Sequence, residues 1–232
     1  VNMVCDHASA VLTPDSVKRL KSYRNDFPGT EFSFDENTSI LTVRGKSAHG
    51  STPEAGANAL GAMLKFFADF HPDCRKAYDL LFADVLGLRG ISDETGNLTM
   101  SPDVAKFENG ILTITTDIRF PATHKKEEIT GALTRAGVNF SVVHEQAPLY
   151  NDPNGRLIST LMRVYNKATG KNEKAIAIGG GTYARALKCG CGFGPELEDE
   201  EATIHQPNEY ITFDRIRMMS EIYYDAIREL TR

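Results

Sequence analysis

Hydrophobic and polar positions in this chain either alternate over short runs or recur at helical spacing, and the two periods predict its elements in order. From Asn2 to Leu12 apolar residues alternate weakly with polar ones, which predicts a strand. Pro14 then opens a helix that brings Val17, Leu20 and Phe27 near one face. Phe32 to Phe34 and Ile40 to Val43 bracket the turn residues Asp35, Glu36 and Asn37, as in a hairpin. The small-residue stretch GKSAHGSTPEAGANAL, residues 45 to 60, joins the strand ending at Arg44 to a helix predicted over Glu54 to Phe70. Leu60, Met63, Leu64 and Phe67 of that helix have the i, i+3, i+4, i+7 spacing of a buried stripe. Ser51, Thr52, Pro53 and Glu54 offer the cap, proline and acid that a helix start prefers, and Pro72 stops the helix.

A second helix is predicted over about Arg75 to Leu86. Strands over Val104 to Glu108 and Ile111 to Arg119 follow, joined by the tight-turn pair Asn109-Gly110. Within the later strand, Leu112, Ile114, Thr116 and Ile118 alternate as on a half-buried surface. A helix (Lys125 to Ala136) and a strand (Phe140 to His144) complete a run that predicts an α+β fold, one antiparallel sheet with helices on one face. Near Gln146 the texture changes, which sets a boundary at about residue 146. Beyond it come a helix (Arg156 to Ala168), a short strand (Ala175 to Ile178), a glycine-rich loop, a further strand and an acidic loop. A last helix, Asp214 to Leu230, carries Ile216, Met219, Tyr223, Ile227 and Leu230 on one stripe.

Composition narrows the classes. At 232 residues with 41% hydrophobic and 25% charged, the chain can bury a sizeable core, and no apolar run approaches the roughly 18 residues of a membrane span. A net charge of -5 argues against a nucleic-acid surface, leaving small molecules or peptides as partners, and a cytoplasmic location is the default expectation. The four cysteines form no C-x-x-C pair, so neither a zinc ribbon nor a disulfide framework is indicated. The chain opens at Val1 with neither an initiator methionine nor a signal region, which predicts a processed chain or a fragment.

Candidate chemistry sits in four places. His49 is a bulky titratable ring at a strand-to-helix junction that needs none. Arg119 ends a strand, where its guanidinium either grips a carboxylate in bidentate fashion or makes a surface ion pair. The glycines of AIGGGTYARAL, residues 175 to 187, either turn tightly or let a ligand approach the backbone; they match neither the dinucleotide fingerprint nor the P-loop. His205, with Asn208 and Glu209 close by, is either a surface residue or a metal ligand with a carboxylate behind it. The acidic run 196–201 reads as a solvated loop, and His71-Pro72-Asp73 as a helix end.

Together, VNMVCDHASAVL, VRGKSAHGSTPEAGANAL, DIRFPATH, AIGGGTYARAL, GFGPE and HQPNEYI resemble, in that order, the two-metal dipeptidases and aminoacylases that include carnosinase-type and bacterial Xaa-His dipeptidases. The resemblance spans nearly the whole chain. It implies that residues 1–146 form most of an inserted lid domain and 147–232 the C-terminal segment of the metal-dependent catalytic domain. It further implies zinc as cofactor, two ions in the full protein with other divalent metals as alternatives, and a dipeptide with a free carboxylate as substrate. His49 then corresponds to the lid histidine that stabilises the oxyanion, and Arg119 to the holder of the substrate carboxylate. Gly180, Gly181 and Thr182 line that pocket, Asn2 is a further lid contact, His205 is the last metal ligand and Glu209 stands behind it. The family's other metal ligands and its general base lie upstream of the lid and have no copy here. The chain alone is therefore expected to be inactive without the remainder of the catalytic domain, and its C-terminal segment to be either mobile or rescued by association, self-association included. Other readings are a non-catalytic carboxylate-binding or dimerisation module built on this scaffold, and an amidohydrolase of N-acyl amino acids.

Overall fold

A computed structural model of the chain describes residues 2–194 and 208–232. These divide into two compact units, Val1–Val143 and His144–Arg232. In the first, β1 (His7–Val11), β2 (Glu31–Asp35) and β3 (Ile40–Arg44) form an antiparallel sheet in the order β1-β3-β2. The register sets Ala8 and Phe32 beside Val43, and Ala10 and Phe34 beside Leu41. Period-2 alternation thus puts Ala8, Ala10, Phe32, Phe34, Leu41 and Val43 on one face and Ser9, Ser33 and Thr42, with Val11 and Ile40, on the other. Helix α1 (Pro14–Ser22) follows β1, with Pro14 in its first turn and the Thr13 hydroxyl accepting from the Ser16 amide.

Helix α2 (Ala59–Ala68) covers the apolar face, and Leu41, Val43, Ala59, Ala62, Met63 and Phe66 make the core. Burying a phenylalanine as completely as Phe66 contributes about 1.5–3 kcal/mol. The helix begins five residues later than its sequence predicts. Lys46 and Ala57 exchange two backbone hydrogen bonds of 2.9 and 2.8 Å, which hold the chain extended there and confine Pro53–Ala55 to a single 3-10 turn. Gly45 makes that approach feasible, because a β-carbon on it would lie 2.0 Å from the Ala57 carbonyl oxygen. Thr52 makes no side-chain cap; Asn58 caps α2 by accepting from the Gly61 amide at 3.1 Å. The helix is buried nearly all round, Leu60, Met63 and Leu64 included, because it packs on the sheet, on α3 (Pro72–Leu81) and on the strand Thr99–Glu108. Pro72 serves as the first residue of α3 as well as the stop of α2.

After the two-residue strands β4 (Ser92–Asp93) and β5 (Gly96–Asn97), β6 (Thr99–Glu108) pairs with β7 (Ile111–Arg119) in a long antiparallel ribbon. Asn109 and Gly110 both have positive φ, 53° and 77°, as the tight hairpin turn demands. The ladder slips between Pro102 and Val104, where proline offers no amide hydrogen. Helix α4 (Lys126–Arg135) closes a second core of Leu88, Leu98, Met100 and Ile129. The α+β class stands, but antiparallel pairing is divided between a three-stranded sheet and two ribbons, not gathered into one sheet. Residues 140–144 form no strand, and Val142 and Val143 are exposed.

In the second unit, α5 (Arg156–Thr169) packs on α6 (Phe213–Leu230) through Leu161, Val164, Met219, Ile222 and Ala226. The expected strand at 175–178 is absent; among the described residues of this unit no strand exists to bond its backbone, and Ile176 and Ile178 stand exposed. The predicted α6 stripe is also rotated: Met219 and Ile222 face α5, whereas Ile216 and Ile227 point outward. Among the described residues α5 is the one helix that α6 packs on, with Cys191 and Phe193 beside the contact. None of the described helices is long and apolar enough to cross a membrane.

Candidate active site

Three of the sequence-predicted residues meet in the first unit, and the meeting point is Gly50. Its amide donates to the Asn2 carbonyl oxygen at 2.6 Å, while Met3 and His49 form an antiparallel bridge. Its carbonyl accepts from the Thr99 hydroxyl at 3.3 Å, and Thr99 is the register partner of Arg119 across the ribbon. A β-carbon on Gly50 would fall 2.5 Å from Asp117 Oδ2 and 3.0 Å from the Asn2 carbonyl oxygen, so only glycine lets these groups close on the His49 loop. Gly50 is buried and His49 is exposed beside it.

Asp117 Oδ2 accepts from Arg119 Nε at 3.0 Å and from Nη2 at 2.7 Å. The two residues are i, i+2 on β7 and so share a face. The ion pair that the sequence left as an alternative for Arg119 therefore exists, and it is more than half buried, at 25% and 18% side-chain exposure. It aims a fork of five donors, two of them on Asp117. Behind it, Asp103 is buried with Oδ1 accepting from Ser101 at 2.6 Å and Oδ2 without a hydrogen bond. Burial pushes the Asp103 carboxyl up, and the nearby Asp117 charge adds to this against the opposing Ser101 bond and Arg119 charge.

Asp93, thirty positions before Thr123, fixes the turn that leaves Arg119. Oδ1 accepts from the amide and hydroxyl of Thr95, both at 2.6 Å, and Oδ2 from those of Thr123 at 2.8 and 2.7 Å. Burial works to raise this carboxyl, but the four donors outweigh it and hold it well below the usual carboxylate range. At His49, Nδ1 lies 2.6 Å from Ser51 Oγ and 3.3 Å from the Ser51 amide. Asp117 and Ser51 were legible only as i±2 neighbours of the residues they hold; Asp93 gave no local signal at all.

In the second unit, Gly180, Gly181 and Thr182 precede a 3-10 turn, Tyr183–Ala186, which the Thr182 hydroxyl caps by accepting from the Ala184 amide. Neither glycine has a positive φ, so turn geometry does not demand them. Arg185 lies over Gly181, 3.2 Å from where a β-carbon would sit. Glu209 is exposed ahead of α6, whereas His205 and the acidic run 196–201 lie outside the described residues. Among the described residues no three His, Cys, Asp or Glu side chains are grouped to hold a metal ion, so these residues do not by themselves make a metal site. Four free thiols are present, with burial pushing Cys5, Cys74 and Cys191 up. A cavity of about 390 Å³ lined by Arg19, Tyr23, Lys65, Phe66 and Arg75 includes none of the sequence-predicted site residues.

The chain is 30% identical over 99% of its length to a protein of Staphylococcus epidermidis named "Putative dipeptidase". It is 31% identical, again over 99% of its length, to proteins of the same description from Staphylococcus haemolyticus and Staphylococcus aureus. It spans about half, 53%, of the length of each of these relatives. Residues 17–229 match the model of peptidase family M20/M25/M40. With the match covering most of its length, the chain belongs to peptidase family M20/M25/M40.

Proposed function

We propose that this chain supplies the lid, residues 1–146, and the C-terminal segment of the catalytic domain, residues 147–232, of a zinc-dependent dipeptidase. The observation that carries the reading is the meeting at Gly50 of the Asn2 backbone, the His49 loop and, through Asp117 and Thr99, the strand end that bears Arg119. A peptide carbonyl gains negative charge as it is attacked, and a donor already aimed at that oxygen lowers the barrier by about 2.7–4 kcal/mol. His49 fills this role. A dipeptide also carries a terminal carboxylate, which a planar guanidinium holds through paired hydrogen bonds. Arg119, oriented by Asp117, fills that one, with Asn2 a further contact of the lid, and Gly180, Gly181 and Thr182 are the substrate contacts that the second unit contributes to the full protein. His205, backed by Glu209, contributes to a metal site whose other ligands lie outside this chain, so that the chain alone does not hydrolyse dipeptides.

The test is dipeptide hydrolysis by the full-length protein that carries this chain. His49→Ala should lower kcat by roughly 10²- to 10³-fold with KM little changed. Arg119→Lys should raise KM for the dipeptide and abolish its advantage over the C-terminal amide. A His49 variant that loses only KM, an Arg119 variant that still discriminates against the amide, or metal-dependent turnover by the isolated chain would each refute this reading.

A further inference from the structure

We infer that Ser51 is a positioning residue that fixes the neutral His49 imidazole in its Nε2–H tautomer, presenting a hydrogen-bond donor outward from the loop. Nδ1 faces two groups of its own chain, Ser51 Oγ at 2.6 Å and the Ser51 backbone N–H at 3.3 Å. A backbone amide can only donate, so Nδ1 must offer its lone pair. The Nδ1–H tautomer would point one N–H at another. With Nδ1 an acceptor, the Ser51 hydroxyl donates to it as well, and the single ring proton of neutral histidine resides on Nε2. Among the described residues Nε2 has no hydrogen-bond partner, and His49 is exposed, so this N–H is available to an incoming group. The sequence SAHGS explains the geometry: Gly50 lets the chain fold tightly behind the ring, and the residue two positions on returns both its amide and its hydroxyl to Nδ1.

The tautomer stands on these distances alone, whereas its use against a developing oxyanion rests on the proposed function. The experiment separates the two. The chain is labelled with ¹⁵N-histidine and its ring nitrogens are read by long-range ¹H–¹⁵N correlation at about pH 8, where imidazoles are neutral; His49→Gln assigns the peaks. The expected wild-type pattern is an unprotonated shift at Nδ1 and a protonated shift at Nε2. Losing one ordinary hydrogen bond shifts such an equilibrium by roughly 2- to 12-fold. Ser51→Ala should therefore pull both nitrogens toward averaged values with the backbone amide spectrum otherwise unchanged, and Ser51→Thr should restore them. A wild-type ring already averaged or protonated at Nδ1, or a Ser51→Ala spectrum identical to wild type, overturns the inference. In the metal-loaded full-length protein, Ser51→Ala should lower kcat with little effect on KM. If the ring nitrogens shift and kcat does not, the tautomer assignment holds and the oxyanion role of His49 is what fails.

Discussion

Replacing Asn58 with alanine removes two hydrogen bonds that join different layers of the first unit. Asn58 Oδ1 accepts from the Gly61 amide at 3.1 Å and caps α2, while Nδ2 donates to the Pro102 carbonyl at 2.8 Å, 44 positions away at the slip in β6. Loss of an N-terminal cap costs about 1 kcal/mol. Pro102 is fully buried, so its carbonyl loses that donor where no water replaces it, at about 1–3 kcal/mol. The sum, about 2–4 kcal/mol, corresponds to amide hydrogen exchange in α2 faster by roughly 30- to 700-fold if exchange follows opening of the unit. Peptide-level exchange at fixed pH measures it. Asn58→Asp sharpens the test, because a carboxylate keeps the cap and suits a helix N-terminus but has no hydrogen for Pro102. An alanine variant that changes exchange by less than about threefold, or an aspartate variant indistinguishable from wild type, would show that the link to Pro102 contributes nothing.

Gly50→Ala should destabilise the first unit by about 1–3 kcal/mol, since the new methyl meets the Asn2 backbone and Asp117, whereas Gly90→Ala, with nothing within 4 Å, should shift Tm by no more than an ordinary surface change. Equal shifts in the two variants would refute the close-approach argument. Asp93 is held below its ordinary range in the folded state by the Thr95 and Thr123 donors, which outweigh the opposing effect of burial, so its stabilising contribution is present above the unfolded carboxylate value and fades as pH falls toward the folded one. The Tm gap between wild type and Asp93→Asn should therefore be widest near neutrality and narrow below about pH 4; a gap that stays constant or widens on acidification contradicts that assignment.

Local sequence determined whatever depends on a residue's near neighbours. The Asn109-Gly110 turn, the α1 start at Pro14 and the alternation that sorts β2 and β3 into two faces follow from backbone sterics and period alone. His49 and Arg119 stood out for the same reason, as side chains that their local context did not require. Elsewhere tertiary contacts prevailed. The Lys46–Ala57 bridge delayed α2 past a well-formed capping sequence, because two backbone hydrogen bonds across the junction outweigh a local helix signal. The segments 140–144 and 175–178 have strand-like sequences and, among the described residues, no neighbouring strand, and a strand exists only through its partner's hydrogen bonds. Among the described residues α5 covers the α6 face that carries Met219 and Ile222, while Ile216 and Ile227 stand exposed, which periodicity could not decide. The carboxylates that hold the Arg119 segment show the division most plainly: Asp117 is two residues away and follows from strand geometry, but Asp93 acts across thirty positions, a distance only the folded chain closes.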